Sequence, residues 1–258
     1  MNFRSIFLTS ATLLLSSAAA NAAQVAALIG GDTIATVDTA QKKATGSVKV
    51  SGISGALVGI DVRPADGMLY GLVDDGTIVT IAADGKATVK SKLDTMLAKG
   101  VAATVDFNPV ADRLRVMGAD GMNLRANVDD GKVTKDGDHK YADGDMHKGE
   151  KPNIVAGAYT NSVKGAKETA LFNIDGTIGG LIKQAPPNDG VLAAIGKLGI
   201  KPNSVAFDIR SDGAGKNEAW LMAGDTLYSV DLATGKATEA AKIAGVSGTV
   251  KDIAIMGM

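Results

Sequence analysis

The chain has 258 residues, with 27 Lys and Arg against 28 Asp and Glu, two His, 32 Gly and no Cys. Without cysteine there can be no disulfide framework, no cysteine-ligated zinc or cluster, and no thiol nucleophile. A net charge of −1 gives no field for gathering phosphates, so the composition excludes a nucleic-acid partner. The length is sufficient for one large domain with its own core.

The first 22 residues have the pattern of a secretory signal peptide. One cation, Arg4, precedes an apolar stretch over residues 6–15, and small residues follow up to Ala20-Asn21-Ala22. The apolar stretch is too short to cross about 30 Å of hydrocarbon, and no later segment is long enough. We therefore predict a signal peptide over residues 1–22, and an exported domain over residues 23–258 that is periplasmic or extracellular and has no membrane span.

The rest of the chain repeats. A short phrase of alternating polar and aliphatic residues occurs five times, at spacings of 44, 46, 47 and 56 residues. Four copies lead to a turn and a further strand, with Asp-Gly or Thr-Gly at three of the turns, where glycine accepts a positive φ. The aliphatic anchors of the phrase are Ile34, Ile78, Leu124, Leu171 and Leu227.

A second repeated element is an apolar strand that contains an Asp, as at Asp61, Asp106, Asp208 and Asp252. The copy over residues 250–255 lies at the end of the chain, and residues 25–29 begin partway through a unit, so the two fragments complete each other. Several short strands in a period in the mid-forties are typical of a β-propeller. We predict an all-β, five-bladed propeller, closed by pairing of the C-terminal strand with the N-terminal blade. An open solenoid has no need of a divided unit, and a sixth blade has no visible copy. Short helices are predicted over residues 92–99 and 191–198.

The motifs Phe107-Asn108-Pro109 and Asn123-Leu124-Arg125 resemble those of an exported bacterial family, domain of unknown function 4394. Blocks at residues 59–64, 112–116, 141–145, 158–161 and 186–190 extend the likeness over nearly the whole exported domain. The resemblance implies the propeller fold and no reaction, cofactor or catalytic residue.

Polar residues near the ends of the Asp-containing strands are the first candidates for a ligand site. Asp61 and Arg63 are two apart on one strand, as are Asp208 and Arg210, so each pair shares a face. If these strands are innermost, their ends surround one mouth of the central channel. The full candidate set is Asp61, Arg63, Asp106, Asn108, Arg113, Arg115, Arg125, Tyr159, Asn161, Asp208 and Arg210. The alternative is that repeated Asp accepts main-chain N–H groups while Arg braces neighbouring blades.

The loop over residues 136–147 holds both histidines and four Asp, ligand types that suit a divalent ion. Its spacing matches neither HExxH nor a calcium loop, and a solvated surface loop with turn-forming Asp-Gly pairs is the favoured interpretation. We assign it no metal.

Standard catalytic motifs are missing, including G-x-S-x-G and the phosphate-binding glycine loops. We therefore assign no catalytic residue and no cofactor. The sequence predicts a monomeric, non-catalytic binding or interaction module that takes a small molecule or a protein at one channel mouth. The alternative is a glycoside or phosphoester hydrolase that uses the carboxylates there.

Overall fold

The computed structural model describes residues 23–201 and 204–256, so the predicted signal peptide lies outside the described residues. Twenty-one strands form five small sheets, which are the five blades of a β-propeller. The five-bladed fold predicted from the repeat is confirmed. In the described part of the chain, no helix is long and apolar enough to cross a membrane.

Each blade is numbered from the start of the chain, and its strands are given from the axis outwards. Blade one contains β21 (Val250–Met256), β1 (Gln24–Ile29), β2 (Thr33–Asp38) and β3 (Lys43–Lys49). Blade two contains β4 (Leu57–Val62), β5 (Leu69–Val73), β6 (Thr77–Ile81) and β7 (Ala87–Lys92). Blade three contains β8 (Ala103–Asn108), β9 (Arg113–Gly118), β10 (Asn123–Ala126) and β11 (Val133–Lys135).

Blade four contains β13 (Ile154–Tyr159), β14 (Leu171–Asp175), β15 (Gly180–Gln184), β16 (Val191–Lys197) and the short β12 (Lys140–Tyr141). Blade five contains β17 (Val205–Ser211), β18 (Asn217–Ala223), β19 (Thr226–Val230) and β20 (Ala237–Lys242). One turn of 3-10 helix, Pro187–Asp189, lies between β15 and β16.

The ring closes within blade one, as predicted. β21 pairs antiparallel with β1, and Val25 lies opposite Ile255. The inner strands β21, β4, β8, β13 and β17 contact one another in that order around the axis, and β17 returns to β21. The Asp-containing strands of the repeat are therefore the inner strands of four blades.

Blade four departs from the repeat in two ways. Its anchor Leu171 lies in the second strand of the blade, whereas the other four anchors lie in the third. The segment between β11 and β13 also adds β12, which pairs parallel to the outer strand β16. The spacing of 56 residues from Leu171 to Leu227 is long because it runs from the second strand of one blade to the third strand of the next.

Both predicted helices are wrong. Residues 191–197 form β16, which pairs antiparallel with β15 along its length. Residues 92–99 include the end of β7 and then bends and a turn, with no helix. The short apolar run at the start of β16 fits a strand as well as two turns of helix, and pairing with β15 satisfies its main chain.

The hydrophobic core is divided into five clusters, each between two neighbouring blades. Alternate residues of β1 illustrate this division: Val25 and Ala27 pack toward blade five, whereas Ala26 and Leu28 pack toward blade two. A blade is thus buried on both faces, which is why its inner strands read as nearly continuous apolar runs.

The inner strands approach closely at Gly59 of β4. A Cβ added there would lie 2.6 Å from Cγ2 of Val105 on the next blade and 2.9 Å from Oδ2 of Asp252 on the previous one. A side chain at this position would push two neighbouring blades apart.

We expect Gly59→Ala to lower the free energy of unfolding by about 1–3 kcal/mol, because it overpacks this part of the axis. Gly46→Ala on β3 is the matched control, since an added Cβ there meets no described atom within 4 Å. Chemical denaturation of both variants checks this. Equal effects of the two substitutions would contradict the tight packing at Gly59.

Candidate functional site

Three buried carboxyl groups meet on the axis of the propeller. Asp61, Asp106 and Asp208 come from blades two, three and five, and one oxygen of each lies within 4.8 Å of the other two. They are 8%, 3% and 5% exposed, respectively. Among the residues described, this is the one group of three or more acidic or His side chains close enough to share a metal ion.

Each of these carboxylates accepts a hydrogen bond from the inner strand of the following blade. Oδ2 of Asp61 accepts from the N–H of Phe107 at 2.6 Å, and Oδ1 of Asp106 accepts from the N–H of Tyr159 at 2.9 Å. Oδ2 of Asp208 accepts from the N–H of Ile255 at 2.6 Å. The Asp side chains therefore connect strands that have no main-chain ladder between them.

Asp252 makes the same kind of bond from blade one to blade two. Its Oδ2 accepts from the N–H of Ile60 at 2.9 Å. Asp61, Asp208 and Asp252 also use their second oxygen to accept the N–H of the residue that follows them. One carboxylate thus satisfies an unpaired N–H on its own strand and another on its neighbour's.

The inner strand of blade four, β13, contains no Asp, and this blade makes its link differently. The N–H of Asn161, just beyond β13, donates to Oδ1 of Asn217 on blade five at 2.8 Å, and Nδ2 of Asn217 donates back to Oδ1 of Asn161 at 3.0 Å. Asn161 has a φ of +57°, a conformation that Asn tolerates better than most residues. This pair completes a closed series of five side-chain links around the axis.

Burial raises the pKa of all four axial Asp residues. The pKa of Asp61, Asp106 and Asp252 lies well above its ordinary value, because burial penalises the charged form and the neighbouring carboxylates repel it. Burial raises the pKa of Asp208 to about 6. The carboxyl groups therefore hold protons at a pH where exposed carboxyls have lost theirs.

Arg63 lies in the interface between blades two and three. Its guanidinium donates to both oxygens of Asp112, at 2.8 and 2.6 Å, and to both oxygens of Asp129, at 3.1 and 2.8 Å. Nη1 also contacts the hydroxyl of Tyr70 at 3.2 Å. These acidic partners raise the pKa of Arg63. Bidentate pairing of this kind braces the two blades.

Arg115 is 1% exposed and lies between blades three and four. It donates to Tyr159 Oη at 2.6 Å, to Asn123 Oδ1 at 2.5 Å and to Asn188 Oδ1 at 2.7 Å. Its ion-pair partner is the buried Asp136, at 3.1 Å.

Arg125 also donates to Asp136, through Nε at 3.1 Å and Nη2 at 3.0 Å. The carboxylate of Asp136 therefore balances two guanidinium groups. Sequence reasoning placed Asp136 in a possible metal loop and gave no sign of these partners.

The remaining candidates have local contacts. Oδ1 of Asn108 accepts the N–H groups of Val110 and Ala111, which forms the turn after β8. Arg113 donates to the carbonyl of Asp112 at 2.8 Å. Arg210 lies 3.6 Å from Glu218 on the neighbouring strand. A ligand-binding role for the eleven candidates stays a prediction, although most of them have structural partners.

The loop over residues 136–147 separates its two histidines. His139 is buried, and in the described structure neither ring nitrogen has a hydrogen-bond partner. Burial lowers its pKa to about 4. Nδ1 of His147 contacts Glu150 at 3.1 Å, while Asp138 and Asp143 pair with lysines. The polar side chains of this loop therefore contact different partners and do not converge on one point.

A cavity of about 290 Å³ lies at the mouth where the inner strands end. It is lined by Asp61, Asp208 and Arg210 together with Ser162 and Ser211. This is the mouth that the sequence pattern indicated, and three of the eleven candidates line its cavity.

A larger cavity, of about 550 Å³, lies at the opposite mouth. All five inner strands contribute residues at or beside their first positions: Val58, Ala103, Ile154, Val205 and Lys251. The loop over residues 96–102 forms one side. The sequence prediction missed this cavity because it was based on the Asp residues, which lie nearer the other end of the inner strands.

A family model described as "Domain of unknown function (DUF4394)" matches residues 33–254. No curated protein matches the chain. A crystal structure of a protein of unknown function from Bacteroides thetaiotaomicron VPI-5482 is similar at 15% identity and a TM-score of 0.50. The likeness covers 81% of this chain and 53% of that one, and it concerns the fold alone.

Two further solved structures are similar to the chain at lower TM-scores. A protein of unknown function from Bacteroides caccae has 11% identity and a TM-score of 0.45, over 92% of this chain and 100% of that one. A luciferin-regenerating enzyme has 12% identity and a TM-score of 0.49, over 90% of this chain and 78% of that one.

The raised pKa values predict the sign of a pH effect. An Asp whose pKa is higher in the folded state than in the unfolded state binds more protons when folded, so stability falls as pH rises between the two values. Removing one such carboxyl should therefore raise the stability of the folded state more at high pH than at low pH. We expect Asp106→Asn to gain stability relative to the unsubstituted protein as the pH rises from 4 to 8, because the variant lacks a carboxyl group whose pKa burial raises in the folded state.

Urea denaturation at several pH values measures this difference, in which the titration of His139 cancels. Asp106 suits the test because its one inter-blade bond needs a single acceptor oxygen, which Asn keeps. Asp61→Asn is the comparison variant, in which a hydrogen bond is lost as well as a charge. Both oxygens of Asp61 accept N–H groups, and an amide replaces one of these acceptors with a donor. A constant offset between Asp106→Asn and the unsubstituted protein at all pH values would contradict the raised pKa.

Proposed function

Since the chain belongs to the family described as Domain of unknown function (DUF4394), which assigns it no activity, we propose a function from its own geometry: an exported, non-catalytic binding module with its ligand site at the channel mouth where the inner strands begin. The observation that carries this proposal is the cavity of about 550 Å³ to which all five inner strands contribute. This volume is in the range of roughly 300–1,000 Å³ that is usual for small-molecule sites.

The state of the axial carboxylates supports a non-catalytic role. A glycosidase needs two carboxyl groups that are open to a sugar and a water. Here one oxygen each of Asp61, Asp106 and Asp208 lies within 4.8 Å of the others, and all three side chains are buried. Their oxygens accept the N–H groups of the inner strands. These bonds give the three carboxyl groups a structural role, which is to brace neighbouring blades.

The export part of the proposal rests on the pattern of residues 1–22. A charged start, a short apolar stretch and small residues before Ala23 are the features that signal peptidases recognise. The absence of cysteine fits an oxidising compartment, in which free thiols would couple. The binding module is then placed in the periplasm or outside the cell.

A thermal-shift screen of small molecules on residues 23–258 tests the binding site. A ligand that binds the folded state raises its apparent stability. We expect hits that are lost in Ala98→Trp, which places an indole in the cavity from its exposed loop. Ala233→Trp, in an exposed turn of blade five, is the matched control and should keep them.

Two results would contradict the proposal. Hits that persist in Ala98→Trp would place the ligand elsewhere. Turnover of a glycoside or phosphoester that disappears in Asp106→Asn would instead favour the hydrolase.

A further inference from the structure

The cavity of about 550 Å³ at the mouth where the inner strands begin, called the strand-start cavity from here on, has a largely apolar wall. Val58, Ala103, Ile154 and Val205 face it from four of the five blades, and Met96 and Leu97 face it from the loop before β8. Contacts of this kind favour a ligand with an apolar body, because its transfer from water removes apolar surface from solvent.

More cationic than anionic side chains line this cavity. Lys251 of β21 and Lys99 of the loop line it, together with the single acid Asp74. In the described part of the chain, neither lysine has an acidic oxygen within ion-pair distance, and Asp74 forms no ion pair. The mouth therefore presents two free ammonium groups above an apolar wall.

Lys251 has a defined place in this arrangement. It is the second residue of the inner strand β21 and the extra residue of a bulge there, because Val250 and Asp252 lie opposite Ile29 and Leu28 of β1 and leave Lys251 without a partner in the register. A bulge of this kind redirects the side chain that it carries. Its ammonium group reaches toward Gly31, where an added Cβ would lie 3.4 Å from Nζ. A cation at the rim of the cavity can meet an anionic group on a ligand whose body fills it.

We propose that the strand-start cavity binds a small amphiphilic anion, with an apolar body against the inner strands and one carboxylate or sulfonate group on Lys251. This inference rests on the proposed binding function and adds the chemical class of the ligand. An ammonium group suits such a point-like anionic partner, and the apolar wall selects against small hydrophilic anions.

Two fluorescent dyes of nearly the same shape test the proposal. 1-Anilinonaphthalene-8-sulfonate carries a sulfonate on an apolar ring system, and N-phenyl-1-naphthylamine is the same ring system without the charge. The proteins are the unsubstituted domain, Lys251→Gln, Ala98→Trp and the control Lys164→Gln. Lys164 is exposed and follows β13, on the side of the strand ends.

We expect the sulfonate to bind the unsubstituted domain more tightly than the neutral dye. Lys251→Gln should raise the Kd of the sulfonate about three- to tenfold and leave that of the neutral dye unchanged. Ala98→Trp should weaken both dyes, and Lys164→Gln should change neither.

The two levels of the proposal fail in different ways. If both dyes bind equally, are unaffected by Lys251→Gln and are lost in Ala98→Trp, the cavity binds ligands but the anionic class is wrong. If Ala98→Trp leaves the sulfonate's affinity unchanged, or the unsubstituted domain does not bind it, the proposal of an amphiphilic anion at this mouth is overturned.

Discussion

The inner strand of every propeller blade has one edge without a neighbouring strand, and its N–H groups there need acceptors. In this protein, carboxylates on the inner strands supply them. Asp252, Asp61, Asp106 and Asp208 each accept an N–H from the next inner strand, and the Asn161–Asn217 pair makes the fifth link. Pairing of β21 with β1 closes the same ring through the main chain. The blades are held around the axis by these bonds and by five apolar clusters between them.

This arrangement has an electrostatic cost. Three carboxyl groups meet in a buried space. Burial raises the pKa of all three, and repulsion by the other carboxylates raises the pKa of Asp61 and Asp106 further. The N–H groups that they accept offset part of the cost, and retained protons offset more. The acids at the axis therefore have a structural task. The strand-start mouth combines an open cavity with lysines that have no acidic partner among the described residues.

The repeat predicted the blades, the inner strands and the closure, because each depends on a local pattern that recurs along the chain. Partners distant in sequence could not be predicted. Arg63 binds Asp112 and Asp129, and Arg115 binds Asn188, across blade interfaces that no spacing indicates. Residues 191–197 fit a short helix or a strand, and only pairing with β15 decides between them. The strand-start cavity is formed by ordinary apolar residues, so only their convergence at one mouth identifies it.

The most direct test of the axial bracing is an NMR titration of four amide protons, those of Ile60, Phe107, Tyr159 and Ile255. Each donates to a carboxylate whose pKa is raised by burial, so its chemical shift should follow the protonation of that carboxyl. The bracing predicts amide shifts that titrate with midpoints well above the ordinary Asp value of about 3.9. Amide shifts that do not change with pH, or that change with midpoints near the ordinary Asp value, would contradict it.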